Sequence, residues 1–510
     1  MQMYCCSDSP FTVAFAEDMA NAIEVDVAII GAGAAGIAAA DWLCRSRRKV
    51  DGLDSIEGSS EAEVAESAER RQNLIPPSVV ILEAQKRIGG RCLTDYDLLP
   101  TALLHLFDPQ ERERLGNDKP LGEKDYATFE REGLELGAEF IHGENTSTKK
   151  MGWDTLPAPR SSHMWIGTGA AEGRDGGGKR IPRMPARRRT DLAEEEKILL
   201  QSFDAAYDKL AQANWKGGRR VVESESAMRR QKEDLSLADY LRESGVTDPE
   251  HLRWCDTLYA QTMCADIEHL SSQDTGEEMK RDVAGKSEFR IARGYSRVLS
   301  EWVSDLKGVT VAIDDAVVKV HKGIVEEGVK EFACDEVLKR SGLRVALTTV
   351  SGRRYIARHV LCTVSIGVLQ SKTIEFVPQL PPNVEDAIQS FRMEGGTKLI
   401  YVFRGQVGPA DLVYMTDQGR AGRWWTSSYG RSKGAWTVYM DYSTASRSDF
   451  LDDMVEEEAL RLGLEELAEL IATPLHELQT SLANSRRVCW KKNPYTRGKR
   501  FNIILKRSHL

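Results

Sequence analysis

The chain is poor in cysteine and shows no cysteine pattern. Its nine cysteines among 510 residues are odd in number, scattered, and form no Cys-X-X-Cys pair. This usage fits free thiols in a reducing compartment better than a disulfide frame or a zinc site, so we expect no metal site. Long hydrophobic runs are lacking too: the longest uncharged stretch, Val27 to Ala40, is mostly Gly and Ala and ends at Asp41. That stretch is too short to cross a bilayer, which predicts no transmembrane helix.

We expect no secretory leader, and basic residues are not in excess. Residues Met1 to Ala22 have no basic region before an apolar core, and Glu17 and Asp18 interrupt their apolar character. The formal net charge of -9 disfavours general nucleic-acid binding and mildly attracts cationic substrates. With 41% hydrophobic residues, the length is enough for roughly two to four domains with buried cores. We therefore expect a globular, enzyme-sized protein.

The first positive signal is a strand, a tight glycine turn and a helix. Val25 to Ile30 is mostly apolar and partly β-branched; Gly31-Ala32-Gly33-Ala34-Ala35-Gly36 follows and opens a helix of small residues reaching about Arg45. Glycine in such a turn allows close approach of a pyrophosphate to the helix N-terminus. The pattern predicts a dinucleotide-binding turn. The alternative is a glycine turn that serves only tight packing of the helix on the sheet.

The second strand carries the candidate ribose ligand. Val79 to Leu82 is a short apolar strand that leads into Glu83, whose carboxylate can accept hydrogen bonds from ribose hydroxyls. Glu83 lies 47 residues after Gly36, whereas the usual spacing is about 20 residues. The hypothesis therefore requires the Ser- and Glu-rich residues 46–78 to be a solvated insertion. Otherwise Glu83 is a surface carboxylate.

Further motifs after this strand resemble a known family. Ile81-Leu82-Glu83-Ala84, followed by Arg87-Ile88-Gly89-Gly90-Arg91, resembles the extended flavin fingerprint of the flavin-containing amine oxidases. The resemblance implies FAD as cofactor, with Arg91 on the flavin side, where a fixed cation stabilises negative charge. The cofactor-binding residues that it implies in this half of the site are Gly31, Gly33, Ala35, Gly36, Glu83, Ala84, Gly89, Gly90 and Arg91.

Glu135 to Gly143 resembles the second signature of the same family. There the resemblance implies that Gly137, Ala138 and Glu139 lie beside the flavin and that the following residues line the substrate tunnel. His142 falls where animal and yeast polyamine and spermine oxidases carry histidine. The resemblance therefore implies a polyamine-like substrate, with His142 binding or deprotonating a substrate nitrogen.

Later segments resemble the family in the same order along the chain. Val317 falls where the family's backbone contacts the adenine, and Trp490 falls in its segment near the flavin. Gly396-Thr397-Lys398-Leu399-Ile400 places Lys398 at the start of a strand, where the family keeps a lysine bonded through water to flavin N5. The resemblance makes Lys398 and His142 the catalytic candidates. The plain alternatives are an edge-strand lysine and a structural histidine.

The resemblance runs from about Val25 to Gly498 and then stops. Lys499-Arg500-Phe501 replaces the expected continuation, so we expect the family's C-terminal flavin-binding segment to be missing and FAD to be held weakly. The predicted fold is α/β: a Rossmann-like, two-dinucleotide-binding FAD domain with an interleaved α+β substrate domain. The predicted boundaries are 24–145 (with insertions at 46–78 and 101–125), 285–365 and 485–510 for the FAD domain, and 146–284 and 366–484 for the substrate domain.

The predicted activity is FAD-dependent oxidation of a small cationic amine. Hydride transfer to flavin N5, hydrolysis of the imine and reoxidation by dioxygen would yield peroxide. Alternatives are an impaired family member that acts only as a partner, a histone-lysine demethylase, or another flavin oxidase such as an amino-acid oxidase. We expect a cytoplasmic or peroxisomal location, the latter from Ser508-His509-Leu510, which resembles a peroxisomal address. The sequence does not indicate the oligomeric state.

Overall fold

A computed structural model of the chain describes part of its length, and two compact units are seen there. The ranges described are 22–51, 77–96, 98, 133–143, 234–281, 287–323, 345–416, 421–430, 436–498 and 500–503, with short pieces between 155 and 220. Unit 1 comprises residues 1–93 and 296–388, and unit 2 comprises 94–295 and 389–510. The predicted domain boundaries follow motif positions and stay a prediction. The predicted insertion at 101–125, most of the one at 46–78, and Ser508-His509-Leu510 lie outside the described residues.

The strands and helices of the described residues are as follows. The strands are β1 Ile23–Ile30, β2 Val79–Leu82, β3 Thr94–Asp95, β4 Leu134–Glu135, β5 Phe140–His142, β6 Thr155–Pro157, β7 Met164–Gly167, β8 Arg187–Arg188, β9 Trp215–Lys216, β10 Arg219–Arg220, β11 Glu288–Ile291, β12 Val309–Ala312, β13 Val317–Lys322, β14 Val345–Thr349, β15 Arg354–Cys362, β16 Glu375–Val377, β17 Phe391–Glu394, β18 Gly396–Arg404, β19 Val413–Thr416, β20 Arg423–Thr426, β21 Trp436–Thr444, β22 Leu482–Cys489 and β23 Arg500–Ile503. The helices are α1 Ala34–Asp51, α2 Leu237–Glu243, α3 Pro249–Leu258, α4 Ser272–Arg281, α5 Tyr295–Ser304, α6 Ile366–Gln370, α7 Pro382–Ser390, α8 Ala445–Asp453, α9 Glu456–Leu470 and α10 Leu475–Ser481. None of them is long and apolar enough to cross a bilayer.

Unit 1 is built on a seven-stranded sheet in the order β12-β2-β1-β15-β14-β13-β16. Strand β1 pairs in parallel with both β2 and β15, which places it inside the sheet. Its alternate residues enter two different cores: Ile29 packs on one face and Ile30 on the other. Burial on both faces explains why the second half of β1, Val27 to Ile30, and all of β2 are continuous apolar runs rather than alternating ones. The strands β12, β2, β1 and β15 are parallel, whereas β14 is antiparallel to both β15 and β13. Parallel strands with a helix directly after β1 form the Rossmann-type arrangement predicted for the FAD domain.

Two strands of unit 1 lie where the sequence alternates between apolar and polar residues, from Val309 to Val320. Strand β12 ends at Ala312 and β13 begins at Val317. Between them Asp314 has a φ of 60°. The buried carboxylate of Asp315 accepts hydrogen bonds from the Ser351 backbone N–H at 3.0 Å and from the Thr349 hydroxyl at 2.9 Å. An acidic residue thus ends one strand and directs the chain into the next.

Unit 2 contains a second seven-stranded sheet, in the order β22-β18-β21-β20-β19-β7-β8. Strand β18 is antiparallel to both β21 and β22, so both of its edges are paired. Leu399, Tyr401 and Phe403 on one face of β18 enter a core shared with α9. Because side chains alternate along a strand, Lys398 and Ile400 lie on the opposite face. This second face carries the candidate site of unit 2.

Strand β23 contains residues that we expected to depart from the family. It pairs antiparallel with β17, with Phe501 opposite Met393. Just before it, the Gly498 N–H donates to the Trp490 carbonyl at 3.1 Å, and the Thr496 hydroxyl donates to the same carbonyl at 2.9 Å. These bonds fix the chain between β22 and β23. The C-terminal residues that are described therefore belong to the packed structure of unit 2.

Candidate functional site

The glycine turn of unit 1 is shaped by two positions that exclude a side chain. Gly31 has a φ of +103°, and its N–H donates to the Leu82 carbonyl at 2.8 Å. A Cβ on Gly36 would lie 2.0 Å from the Gly31 carbonyl oxygen. The first turn of α1 therefore packs directly on the end of β1. Only glycine at position 36 allows that approach.

Gly33 differs from its neighbours because a Cβ there would enter open space, with no atom within 4 Å. It bridges to Gly89, and a Cβ on Gly90 would lie 3.3 Å from the Gly33 Cα. The two glycine-rich segments predicted from sequence are thus brought together at the N-terminus of α1. An open space there, lined by backbone N–H groups, fits the pyrophosphate of a dinucleotide. Ala35 is exposed in the same turn.

Glu83 lies at the carboxyl end of β2, buried and close to the glycine turn. Its carboxylate accepts hydrogen bonds from the backbone N–H groups of Ala32 at 2.8 Å and Gln85 at 2.9 Å. A carboxylate offers about four lone-pair directions, so acceptor capacity remains for ribose hydroxyls. Although Glu83 lies 47 residues after Gly36, the fold places its carboxylate on the Ala32 N–H in the glycine turn. This position is compatible with the predicted role toward ribose. Ala84, which follows it, is half-buried.

Arg87 holds the Gly89-Gly90-Arg91 turn in place, a role that the sequence did not predict. Its guanidinium donates to the carbonyls of Ile88 at 3.1 Å and Gly90 at 2.8 Å. Burial lowers the pKa of Arg87, while Glu83 and Cys92 oppose that shift. Arg91 itself is half-buried, and Val317 is buried at the start of β13. These residues all belong to unit 1, which accounts for one half of the predicted cofactor set.

The other half centres on Lys398 in unit 2. Its side chain is fully buried, and its Nζ donates to the Glu135 carbonyl at 2.8 Å. The carboxylate of Glu139 lies 3.7 Å from Nζ, and the ring centroid of Trp425 lies 5.4 Å away. Burial lowers the pKa of Lys398, whereas Glu139 and Glu135 raise it. The lysine is therefore not an ordinary edge-strand residue; it is the buried cation of a polar network.

Glu139 is the anion of that network and makes several contacts. It accepts hydrogen bonds from Trp425 Nε1 at 3.0 Å and from the Ser427 hydroxyl at 2.8 Å. Arg290 is fully buried, with its Nη1 3.9 Å from Glu139 and 2.6 Å from the Ser427 carbonyl, to which it donates. Sequence reasoning missed Arg290, Trp425 and Ser427. The available signal was an arginine in the otherwise apolar end of β11. An arginine in a strand is expected to be exposed to solvent unless its distant partners are known.

The segment from Glu135 to Ala138 is held by side-chain donors. Lys398 donates to the carbonyl of Glu135, and Trp490 Nε1 donates to the next carbonyl, that of Leu136, at 3.0 Å. The Glu135 carboxylate in turn accepts from the Tyr295 N–H at 2.8 Å. Trp490 and Lys398 thus fix adjacent carbonyls. Gly137 and Ala138 follow directly in the chain, so the predicted residues Lys398 and Trp490 both contact the segment that leads into them.

His142 lies apart from this buried network in the described structure. Its side chain is 73% exposed, and Nδ1 lies 2.9 Å from the Glu288 carboxylate. The two residues face each other across β5 and β11. His142 is therefore half of a cross-strand pair. Its predicted role toward substrate stays a prediction.

Comparison with known proteins identifies the family. The family model described as "Flavin containing amine oxidoreductase" matches residues 134–503. The chain belongs to this family, and the prediction of FAD as cofactor is thereby confirmed. The match begins after the glycine turn, so the dinucleotide assignment of that turn is supported by the geometry of unit 1. The match also extends past Gly498, where we expected the resemblance to end.

Individual relatives agree with the class. The chain is 24% identical over 348 residues to polyamine oxidase 3 of Oryza sativa subsp. japonica. That alignment covers 64% of this chain but 54% of the rice protein, so the chain matches about half the length of this relative. A putrescine oxidase solved with putrescine bound has a TM-score of 0.61 at 15% identity, covering 95% of this chain and 89% of that one. Cyclohexylamine oxidase from Brevibacterium oxydans has a TM-score of 0.57 at 17% identity, covering 93% and 86%. At these identities the solved structures show the fold alone.

Proposed function

We propose that the chain is an FAD-dependent amine oxidase. The overall reaction converts an amine, dioxygen and water into an aldehyde, ammonia or a smaller amine, and hydrogen peroxide. The observation that carries the proposal is the fully buried Lys398, held on the Glu135 carbonyl beside Glu139 and Trp425. Family membership supplies the reaction class, and this network supplies the residues.

Bound FAD would take two electrons and a proton equivalent from the α-carbon of the amine and deliver the electrons to dioxygen. The glycine turn of unit 1 and Glu83 would hold its pyrophosphate and ribose. Lys398 would position a water molecule through its ammonium N–H groups. Burial lowers the pKa of Lys398, and the same desolvated surroundings would disfavour the protonated form of a substrate amine. The neutral amine is the form from which hydride is removed.

For the substrate, the resemblance supports a polyamine-like amine. It rests on His142 in the Phe140-Ile141-His142-Gly143 segment and on the rice polyamine oxidase as a relative. His142 with Glu288 would bind or deprotonate a substrate nitrogen. Among the described residues, no group of three or more His, Cys, Asp or Glu side chains could hold a metal ion. Peroxisomal location remains a proposal that rests on the terminal tripeptide alone.

The test is a flavin absorbance spectrum of the purified chain followed by peroxide measurement. The panel contains putrescine, spermidine, spermine, a plain alkylamine and a methyl-lysine peptide. Because we expect FAD to be held weakly, FAD is supplied in excess, and we then expect a bound-flavin spectrum and peroxide with at least one amine. Stoichiometric FAD without peroxide from any amine would refute oxidase activity, whereas turnover of the peptide alone would favour a demethylase.

A further inference from the structure

A row of polar side chains crosses the sheet of unit 2 on the face that carries Lys398. Lys398 on β18 pairs with Tyr442 on β21. On the next strand Trp424 pairs with Asp441, so the antiparallel register places Arg423 beside Tyr442. Trp425, two residues beyond Arg423, shares its face and lies 5.4 Å from the Lys398 ammonium. Arg423 therefore lies on the same face of the sheet as the proposed catalytic lysine, Lys398.

The guanidinium of Arg423 has unmet hydrogen-bonding capacity. Its Nε and Nη2 atoms are buried, and no acceptor lies within hydrogen-bond distance of either in the described structure. Buried donors are normally paired, because leaving them without an acceptor is costly. Arg290 and Arg487 each also have a buried Nε without a partner, but Arg290 donates through its other nitrogens to the carbonyls of Ser427 and Tyr429. Arg423 differs from them because two of its nitrogens, Nε and Nη2, are both without an acceptor among the described residues.

The two unmet nitrogens belong to one edge of the guanidinium. Nε–H and Nη2–H point in parallel, and this edge matches the two oxygens of a carboxylate in a bidentate pair. Burial lowers the pKa of Arg423, while Tyr442, Cys264 and Glu288 oppose the shift. Of these, Glu288 already contacts His142, and the Tyr442 hydroxyl lies 3.1 Å from Cys264 Sγ. None of these groups therefore accepts a hydrogen bond from the Nε–Nη2 edge of Arg423.

We propose that Arg423 binds a carboxylate carried by the substrate, while the amine of the same molecule reacts at the Lys398 end of the row. The inference rests on the proposed amine oxidation, but it replaces the polyamine-like substrate that the resemblance supports with amines that carry a distal carboxylate. Two strand spacings separate the backbones of Lys398 and Arg423, roughly 10 Å, which suits an extended aliphatic chain between the groups. A polyamine makes the opposite prediction, because its second ammonium would be repelled by the guanidinium.

The experiment compares three substrates with equal carbon chains: pentylamine, 5-aminopentanoate and 1,5-diaminopentane. For the unaltered holoenzyme we expect kcat/KM to be highest for 5-aminopentanoate. In Arg423→Gln the ratio of kcat/KM for 5-aminopentanoate over pentylamine should fall by about 10-fold to 100-fold, as expected for loss of a charge-assisted bidentate pair. Arg423→Lys should lose part of that ratio. The control is Arg404→Gln, an exposed arginine on β18, which should leave the ratio intact.

A second measurement does not depend on turnover. In calorimetry pentanoate should bind the unaltered chain and Arg404→Gln equally well. It should bind Arg423→Lys more weakly than the parent and Arg423→Gln more weakly still. Either of two results would overturn the inference. The first is a higher kcat/KM for 1,5-diaminopentane than for 5-aminopentanoate, and the second is equal pentanoate binding by the parent, Arg423→Lys and Arg423→Gln. If no amine is oxidised but pentanoate binding still depends on Arg423, the proposed activity fails while the carboxylate site stands.

Discussion

Charge burial at single residues sets the character of the unit 2 site. Lys398 and Arg290 are buried cations, and Glu139 and Glu135 are buried anions, so the network is close to neutral. Removing one partner of such a network leaves the others desolvated and uncompensated, which costs more than the pair contributes. Each member should therefore affect stability as well as chemistry. A useful variant must separate the two effects.

Lys398→Met keeps much of the volume of the lysine stem and removes the ammonium. We expect flavin reduction by amine to slow by about 100-fold or more, in the range expected when a positioned proton-transfer or water-binding group is lost. FAD content should stay near that of the parent, because the glycine turn of unit 1 is untouched. Stopped-flow absorbance of the flavin measures the rate. Lys322→Met, at an exposed position of β13, is the matched control, and unchanged reduction in Lys398→Met would remove the lysine from the mechanism.

At the scale of elements, the β1–α1 turn separates two uses of glycine. Gly36 is required by the fold, since a Cβ would meet the Gly31 carbonyl at 2.0 Å, whereas a Cβ at Gly33 would meet no atom of the chain within 4 Å. The structure therefore predicts that one position serves packing and the other serves the cofactor. Alanine at the two sites should distinguish these uses.

Gly33→Ala should leave the thermal stability of the apoprotein within about 0.5 kcal/mol of the parent, as for a surface substitution. Its affinity for FAD should fall, because the added methyl enters the space assigned to the pyrophosphate. Gly36→Ala should destabilise the apoprotein itself through strain at the turn. Apoprotein melting and FAD titration by fluorescence check both. Unchanged FAD affinity in Gly33→Ala would contradict the assignment of the turn.

Local sequence was enough for elements whose determinants are local. The apolar runs predicted β1 and β2, and the glycine pattern predicted the turn between β1 and α1, since tight turns and buried strands impose their own residues. Long-range pairing was not visible. Arg290 donates to Ser427, which lies 137 residues away, and its burial follows from that partner and not from the pattern of β11.

The site shows the same division. Glu83 and Lys398 stand in recognisable motifs, and the structure places each in a specific polar environment. Arg423 stands in no motif, and only the register of β20 against β21 puts it in the row with Lys398. In the sequence Asp315 looks like a polar residue within a strand. In the structure it lies between β12 and β13, where it accepts hydrogen bonds from the distant Ser351 and Thr349. Cross-strand partners are fixed by the assembled sheet, which a single segment does not encode.

At the scale of the whole molecule, a buried acid links folding to pH. Asp256 on α3 accepts hydrogen bonds from Gln261 at 3.1 Å and the Ile267 N–H at 3.0 Å, and lies 3.6 Å from Arg447. Burial raises the pKa of Asp256 to about 6, although Arg447 and these hydrogen bonds oppose the shift. Because the folded state binds this proton more tightly than the unfolded state does, protonated Asp256 stabilises the fold. This stabilisation is fully present below the unfolded pKa of 3.8 and is lost as pH rises through about 6.

Asp256→Asn removes this titration. Between pH 4.5 and pH 7 the parent should lose about 2 kcal/mol of unfolding free energy relative to the variant, following proton linkage for a group shifted by about two units. Urea unfolding of both proteins at the two pH values measures the difference. Asp305→Asn, an exposed acid after α5, supplies the control. A constant difference between parent and Asp256→Asn across this range would show that Asp256 keeps an ordinary carboxyl pKa.

The pairing of β18 on both edges has a consequence for amide hydrogen exchange. Its backbone is bonded to β21 along one edge and to β22 along the other, whereas Leu136 to Glu139 belong to no strand. We expect deuterium to enter the amides of β18 among the slowest in unit 2 and those of 136–139 much earlier, which mass spectrometry of peptides would resolve. Lys398 donates from the strand expected to exchange slowly to the Glu135 carbonyl, directly before the segment expected to exchange fast. In Lys398→Met the slow strand should stay slow while exchange at 136–139 accelerates.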